Sequence, residues 1–453
     1  MSLPANYEPA VDEYRSNDDG LISFMSDGQT LLRRFAYVAM WLLPIMAFTT
    51  PSKGTFDGWE TLDIIKLFVL AFACFGGFYV ILRNASHHRF NEVVDPLIPF
   101  FVFFAFALIS VIWSPLRSVT VFQSGSLVTM LMYATGVAIL CARPSETSRI
   151  LLHLCLVLMT CSCVILLVYF WDPILSGLDR DLLNSGGDGI VHPTASGGTA
   201  SLGLLLTIVC HRIGGYIWAK RLVVPAIVIH GAILLLSNSR TATGMAVFTI
   251  LGVIFWYSSN QRRAIAAFTF AVFAILIIVV DPGLELIGST LGASAEYVRR
   301  GQSADQLSGV SGRSEMWSAI WNEYQKSMML GHGYFVTSAK GALFVWNKSS
   351  NFTAHNMILQ VLVSTGAIGL ILFFYALLQP LLCTLLLLKG SEFHRRLLGI
   401  TVVISVWFFG WSMLSISFMG PIRPESIVFF TLMGVAIGQA SQIQVSHDAA
   451  QTA

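Results

Sequence analysis

Between Met357 and Leu388 the chain runs for 32 residues without a charged side chain. As one straight helix that run measures about 48 Å, against the roughly 30 Å of hydrocarbon in a bilayer. It is too apolar for the half-exposed helix of a water-soluble domain and too long to cross lipid upright. It must tilt steeply or divide, and Gly366 and Pro380 are the positions where division costs least. We favour a division near Gly366, which leaves His355 to Thr365 as a shallow or re-entrant helix packed on protein.

The same signal recurs along the chain. Twelve segments qualify as membrane spans, some only marginally: Phe35–Thr50, Ile64–Leu82, Pro96–Trp113, Val121–Ala142, Ser148–Trp171, Thr194–Cys210, Leu222–Leu236, Thr241–Tyr257, Ala264–Val280, Ala367–Leu388, Leu397–Leu414 and Ser426–Gln439. Charged residues make up 11% of the chain, where a soluble domain carries about 25%. These features predict an all-α polytopic membrane protein with about twelve transmembrane helices, folded as one bundle with one extramembrane insertion.

Lysine and arginine accumulate on the cytoplasmic side of membrane proteins. Counted from a cytoplasmic start, the inner connections carry 14 cations and the short outer loops 5, namely Lys53, Arg117, Arg180, Arg240 and Arg423. The split places both termini inside, with residues 1–34 and 440–453 as cytoplasmic tails, spans over 35–281 and 355–439, and a large outer loop over 282–354. The N-terminal segment lacks the apolar core and cleavage site of a secretory signal. A net charge of +2 gives no ground for nucleic acid as a partner. All seven cysteines lie in apolar segments without zinc-type spacing and read as small buried side chains.

Because the outer loops are poor in cations, each lone one needs an account. Arg240, in "LLLSNSRTATG", lies 19 residues after Arg221, about 28 Å along a helix. That brings it to the outer edge of the hydrocarbon among small hydrogen-bonding residues; the bland alternative is an arginine that snorkels to headgroups. In the outer loop, Met316, Trp317, Ile320, Trp321, Tyr324 and Met328 follow helical spacing. They predict an amphipathic helix on the membrane surface with its aromatic side chains at headgroup level. Arg313 opens that helix, where its charge opposes the helix dipole; an external anion or a salt bridge to Glu315 would account for it.

His355 and Asn356 stand at the mouth of the long apolar run. Imidazole titrates near neutrality and suits a general base, and Asn356 suits a helix cap or an orienting partner. A satisfied structural histidine is the plain alternative, and His332 in "LGHGYF" and His192 in "IVHPTASGG" are rivals for the same role. Two outer-edge cations, a base and no acidic metal-ligand cluster suit an anionic lipid headgroup, such as a pyrophosphate, as leaving group. A cation about 4 Å away contributes roughly 4 kcal/mol at an effective dielectric near 20. Losing one such stabiliser costs on the order of a hundred- to a thousandfold in rate. The rival class is a secondary transporter, which needs ionisable groups near the bilayer midplane, where His153 and His230 are candidates.

At these residues the sequence resembles the O-antigen ligase and O-antigen polymerase superfamily of bacterial envelope glycosyltransferases, which includes exopolysaccharide polymerases. The resemblance is carried by His355-Asn356, nine residues, then Gly366-Ala367-Ile368-Gly369, by "SNSRTATG" around Arg240, and by "GRSEMWSAIW" followed by "LGHGYF". It implies a GT-C-like fold in the bacterial inner membrane, with glycan drawn from an undecaprenyl-pyrophosphate carrier at the periplasmic face and no cofactor, metal or nucleotide sugar. By position, Arg240 and Arg313 would bind the pyrophosphate and His355 would activate the acceptor hydroxyl. The acceptor would be another glycan, as in a polymerase, or lipid A-core, as in a ligase, and other polysaccharide assembly and export proteins would be partners. Leu370 stands where family members often carry a polar or cationic residue. An acidic N-terminal tail and a moderate outer loop, without a patch suited to a bulky phosphorylated core, favour the polymerase.

Overall fold

The computed structural model describes residues 22–44, 61–84, 90–171, 193–237, 239–256, 313–336, 354–415 and 422–452. The described residues are helices and their connections: α1 (Ile22–Leu42), α2 (Thr61–Asn84), α3 (Ile98–Ile109, extended at both ends by short helical turns), α4 (Arg117–Cys141), α5 (Pro144–Val168), α6 (Pro193–Arg212), α7 (Ile217–Leu236), α8 (Arg240–Trp256), α9 (Arg313–Gln325), α10 (Met357–Thr384), α11 (Glu392–Ser412) and α12 (Pro424–Thr452). Eight helices among the described residues are long and apolar enough to cross a membrane, and two shorter apolar stretches, Leu67–Leu82 and Arg240–Phe255, accompany them. The expected span Ala264–Val280 lies outside the described residues.

The first expected span, Phe35–Thr50, is displaced. α1 starts at Ile22, so part of the expected polar tail is helical and Arg33 falls inside a helix. Within α1 it meets a distant partner: Arg33 Nε donates to Glu146 Oε2 at 3.2 Å and Arg33 Nη2 to Glu146 Oε1, while Arg149 approaches the same carboxylate at 3.4 Å. Glu146 is buried at the start of α5, and a buried carboxylate left unpaired would be costly.

Contacts between helices define two ends of the bundle. α4 and α12 run parallel, with Tyr133 Oη 2.8 Å from Thr431 Oγ1 and Gln439 Nε2 donating to the Cys141 carbonyl. α6 and α11 run antiparallel, with Trp407 Nε1 donating to Ser201 Oγ at 2.8 Å and the Trp411 ring lying against Gly198. One end therefore gathers the starts of α4, α6, α8 and α12 with the ends of α3, α7 and α11. Its short connections carry Arg117, Arg240 and Arg423 among the described residues. The opposite end carries Arg143, Arg149, Arg212, Lys220, Arg221, Lys389, Arg395 and Arg396. The candidate functional residues that are described lie at the cation-poor end.

Candidate functional site

The site is organised by a broken helix. α10 is interrupted at Gly366, whose φ of 68° and ψ of −169° no helix contains; the division expected from length and glycine spacing is there. Breaking a helix frees main-chain groups, each of which costs several kcal/mol if left unpaired in lipid. Residues Met328–Gly333 supply the partners. The N–H groups of His332 and Gly333 donate to the Val363 and Ser364 carbonyls at 3.0 and 2.9 Å, and those of Ala367 and Ile368 donate to the Met328 and Met329 carbonyls at 2.8 and 3.3 Å. Such main-chain contact leaves no room for side chains. A Cβ on Gly366 would lie 2.2 Å from the Met329 oxygen, and one on Gly331 would lie 2.5 Å from Ser364 C and Thr365 N.

The plugging segment is anchored in turn on α3 and α4. Tyr334 N donates to Ser110 Oγ at 2.9 Å, Thr120 Oγ1 donates to the Tyr334 carbonyl at 3.2 Å, and Ser114 Oγ lies 2.7 Å from Thr120 Oγ1. Tyr334, Phe335 and Val336 are all buried. His332 is tied back to the end of α9: its Nε2 donates to the Glu323 carbonyl at 2.9 Å, and the Glu323 carboxylate pairs with Lys326 at 2.5 Å. Of the rival histidines, His332 thus serves as a latch between α9 and the plug, and His192 lies outside the described residues.

His355 sits in the left-handed region with φ of 45°, a conformation that costs a non-glycine residue about 1–3 kcal/mol unless its surroundings impose it. They do so on both sides. Asn356 is the N-cap of α10, its Oδ1 accepting from Leu359 N at 3.1 Å, which is the capping role anticipated from sequence. On the other side, Trp317 Nε1 donates to the Ala354 carbonyl at 2.8 Å and Ala354 N donates to Gln360 Oε1 at 3.0 Å. Gln360 Nε2 continues to Ser364 Oγ at 3.2 Å.

The partner of α9 differs from expectation. Met316 and Ile320 form a buried cluster with Ala354 and Val363, with Trp317 and Leu359 packed against it, so that face of α9 covers the first half of α10 rather than lipid. An apolar stripe shows that a helix needs an apolar partner but not which one. Trp321, 44% exposed, faces outward with Met328 and Met329. The backbone of Arg313 opens α9 one turn before Trp317, which places it close to the His355 neighbourhood; the Arg313 side chain lies outside the described residues.

Arg240 belongs to a second unit at the same end. It is the first residue of α8, half-buried and preceded by Ser239, whose Oγ accepts from Ala242 N at 3.4 Å and whose carbonyl accepts from Thr243 N at 3.0 Å. The turn before it rests on α6, where a Cβ on Gly197 would meet Ser237 Oγ and Ser239 Cβ at 2.8 Å. Next to Gly197, Gly198 meets Trp411, whose Nε1 donates to the buried carboxylate of Glu425 at 3.3 Å. Glu425 was not singled out in the sequence; the only hint is an acid in the first turn of an apolar helix, where the helix dipole favours it. The midspan histidines of the transporter reading are engaged in packing: His230 Nδ1 lies 2.8 Å from Ser162 Oγ, and Trp41 Nε1 donates to His153 Nδ1 at 3.4 Å.

The structure thus joins His355, Asn356, His332 and the start of α9 in one hydrogen-bonded unit and sets Arg240 in a separate one at the same end of the bundle. Trp317, Gln360 and Ser364 also belong to the first unit. Residues 225–374 of the chain match the family model described as O-antigen ligase. A comparison with curated proteins returns no match.

Proposed function

The chain belongs to the O-antigen ligase and polymerase superfamily, and from that premise we propose that it is a glycosyltransferase that extends oligosaccharide carried on undecaprenyl pyrophosphate at the periplasmic face of the bacterial inner membrane. The observation that carries the reading is that the matched interval, 225–374, encloses Arg240, Arg313, His332, His355 and Asn356. In the proposed reaction His355 accepts the proton of an acceptor sugar hydroxyl. The freed oxygen bonds to the anomeric carbon of the donor as that carbon's bond to the pyrophosphate oxygen breaks. The pyrophosphate leaves on its lipid, its negative charge met by Arg240 and Arg313, and the imidazolium returns its proton to water. No metal is needed in this scheme, because the arginines meet the charge that a divalent cation would otherwise neutralise. We favour repeat-unit polymerisation, of exopolysaccharide or O-antigen type, over transfer to lipid A-core.

Purified protein incubated with a lipid-linked oligosaccharide, with and without lipid A-core, tests the reading. Products growing by whole repeat units identify a polymerase, a core-linked product identifies a ligase, and no glycan transfer with either acceptor refutes both. His355→Ala is expected to lower the rate by about 10²- to 10⁴-fold and Arg240→Ala by about 10²- to 10³-fold, with both proteins retained in the membrane. Polymer of normal length and yield from both variants in a complemented deletion strain would refute the assigned roles.

A further inference from the structure

We infer that Trp317 and Gln360 are positioning residues for His355, acting through the peptide units on either side of Ala354; the inference rests on the general-base role proposed for His355. A residue's φ is the rotation between its own Cα and the peptide plane that precedes it. The plane preceding His355 contains the Ala354 carbonyl, which the Trp317 indole N–H holds at 2.8 Å. The plane before that contains the Ala354 N–H, held by Gln360 Oε1 at 3.0 Å. Gln360 is itself fixed in orientation, since its other terminus donates to Ser364 Oγ, and Gln360, Ser364 and Ala354 are each at most 1% exposed. Past His355, the Asn356 side chain caps α10 and the bond from Gln360 N to the Asn356 carbonyl at 2.9 Å fixes the plane that follows Asn356.

The plane that enters His355 is therefore clamped, and its left-handed φ is imposed rather than chosen. The clamp comes from two sources, one in the insertion (Trp317, α9) and one in the membrane helix (Gln360, α10). Neither side chain needs to touch substrate. Their effect is on the direction in which the imidazole points, and an error on the order of 1 Å at a reacting group lowers a rate by about a hundredfold.

The test uses the full-length protein in liposomes with the lipid-linked oligosaccharide as donor. Trp317→Phe keeps an aromatic ring in the α9 face and removes the indole N–H. Gln360→Met keeps the length and removes both hydrogen-bonding atoms. Trp321→Phe, on the exposed side of the same helix, is the control. The expected result is a ten- to hundredfold fall in kcat, in line with the cost of a misplaced reacting group, for Trp317→Phe and for Gln360→Met. The donor KM should stay within about twofold, because the arginines that hold the donor are untouched, and Trp321→Phe should match the wild type in both constants.

If one variant fails to fold, the other carries the test. If both do, limited proteolysis and kcat of a Ser364→Ala protein, which loses only the far support of Gln360, give the readout, with a three- to tenfold fall expected as a weaker form of the same misplacement. An unchanged kcat in the folded variants, or kcat and KM moving together as they would for a general loss of packing, overturns the inference. His355→Ala separates the two levels. An inactive His355→Ala beside a fully active Trp317→Phe overturns only the positioning role, whereas an active His355→Ala overturns the base assignment and the positioning role with it.

Discussion

The α4–α12 pair and the α9–α10 pair solve the problem of close helix contact in opposite ways. α12 lies so near α4 that a Cβ on Gly434 would be 2.5 Å from the Ala134 carbonyl oxygen and one on Gly438 2.2 Å from that of Ala138. Both helices nevertheless remain unbroken there, so their main-chain groups stay paired within each helix and the specific contacts come from side chains such as Tyr133 and Thr431. In the α9–α10 region, by contrast, α10 is broken and its freed peptide groups bond to another segment of the chain. Small residues in an intact helix bring neighbours close, whereas small residues at a break release directional main-chain groups. Beside that break, bonds from Trp317 and Gln360 to the main chain of Ala354 hold His355 in a conformation that helices exclude.

The sharpest way to break this contrast is a matched pair of substitutions. Gly366→Ala places a methyl group against the Met329 carbonyl at a left-handed position. It is expected to cost more than about 3 kcal/mol and to lower kcat in any folded fraction by at least about a hundredfold. Gly438→Ala meets an equally close contact inside an intact pair and should cost about 1–3 kcal/mol while the folded fraction keeps its kcat. Thermal unfolding in detergent and initial rates on the same samples check both, and equal losses of kcat would erase the distinction.

Arg33→Ala sharpens the contrast from the other end. It leaves Glu146 with Arg149 as its remaining described cation, and should cost about 1.5–3 kcal/mol with kcat intact; a rate defect would mean the two ends are coupled. Asn356→Ala removes a cap worth about 1 kcal/mol, visible as faster hydrogen exchange at the start of α10, and Asn356→Ser should recover most of it. The smallest expected effect is that of EDTA, which should leave glycan transfer unchanged. Full loss restored by magnesium would exclude stabilisation by arginine alone.

Much of the organisation was legible in the sequence because it follows from length and solvent. The 32-residue uncharged run had to bend or break, and Gly366 was the cheapest place; Asn356 could be read as a cap because its side chain acts within one turn. What stayed hidden depended on partners far away in the chain. The pairing that holds Arg33 within α1 rests on Glu146, 113 residues away. The buried face of α9 rests on the first half of α10, which periodicity cannot distinguish from a lipid surface. Gln360 and Trp317 read as ordinary members of an apolar helix and an aromatic stripe, because the atom each holds belongs to the main chain of Ala354, a residue with no polar side chain to announce it.

The main-chain seal between Met328–Gly333 and the interruption of α10 also bears on which segments of the chain can be exchanged. A chimera that replaces the segment before α10 must carry the sealing hexapeptide with it, or it will strip the main-chain groups freed at Gly366 of their partners. Grafts that stop short of Arg313 keep both this seal and the Trp317 bond to Ala354.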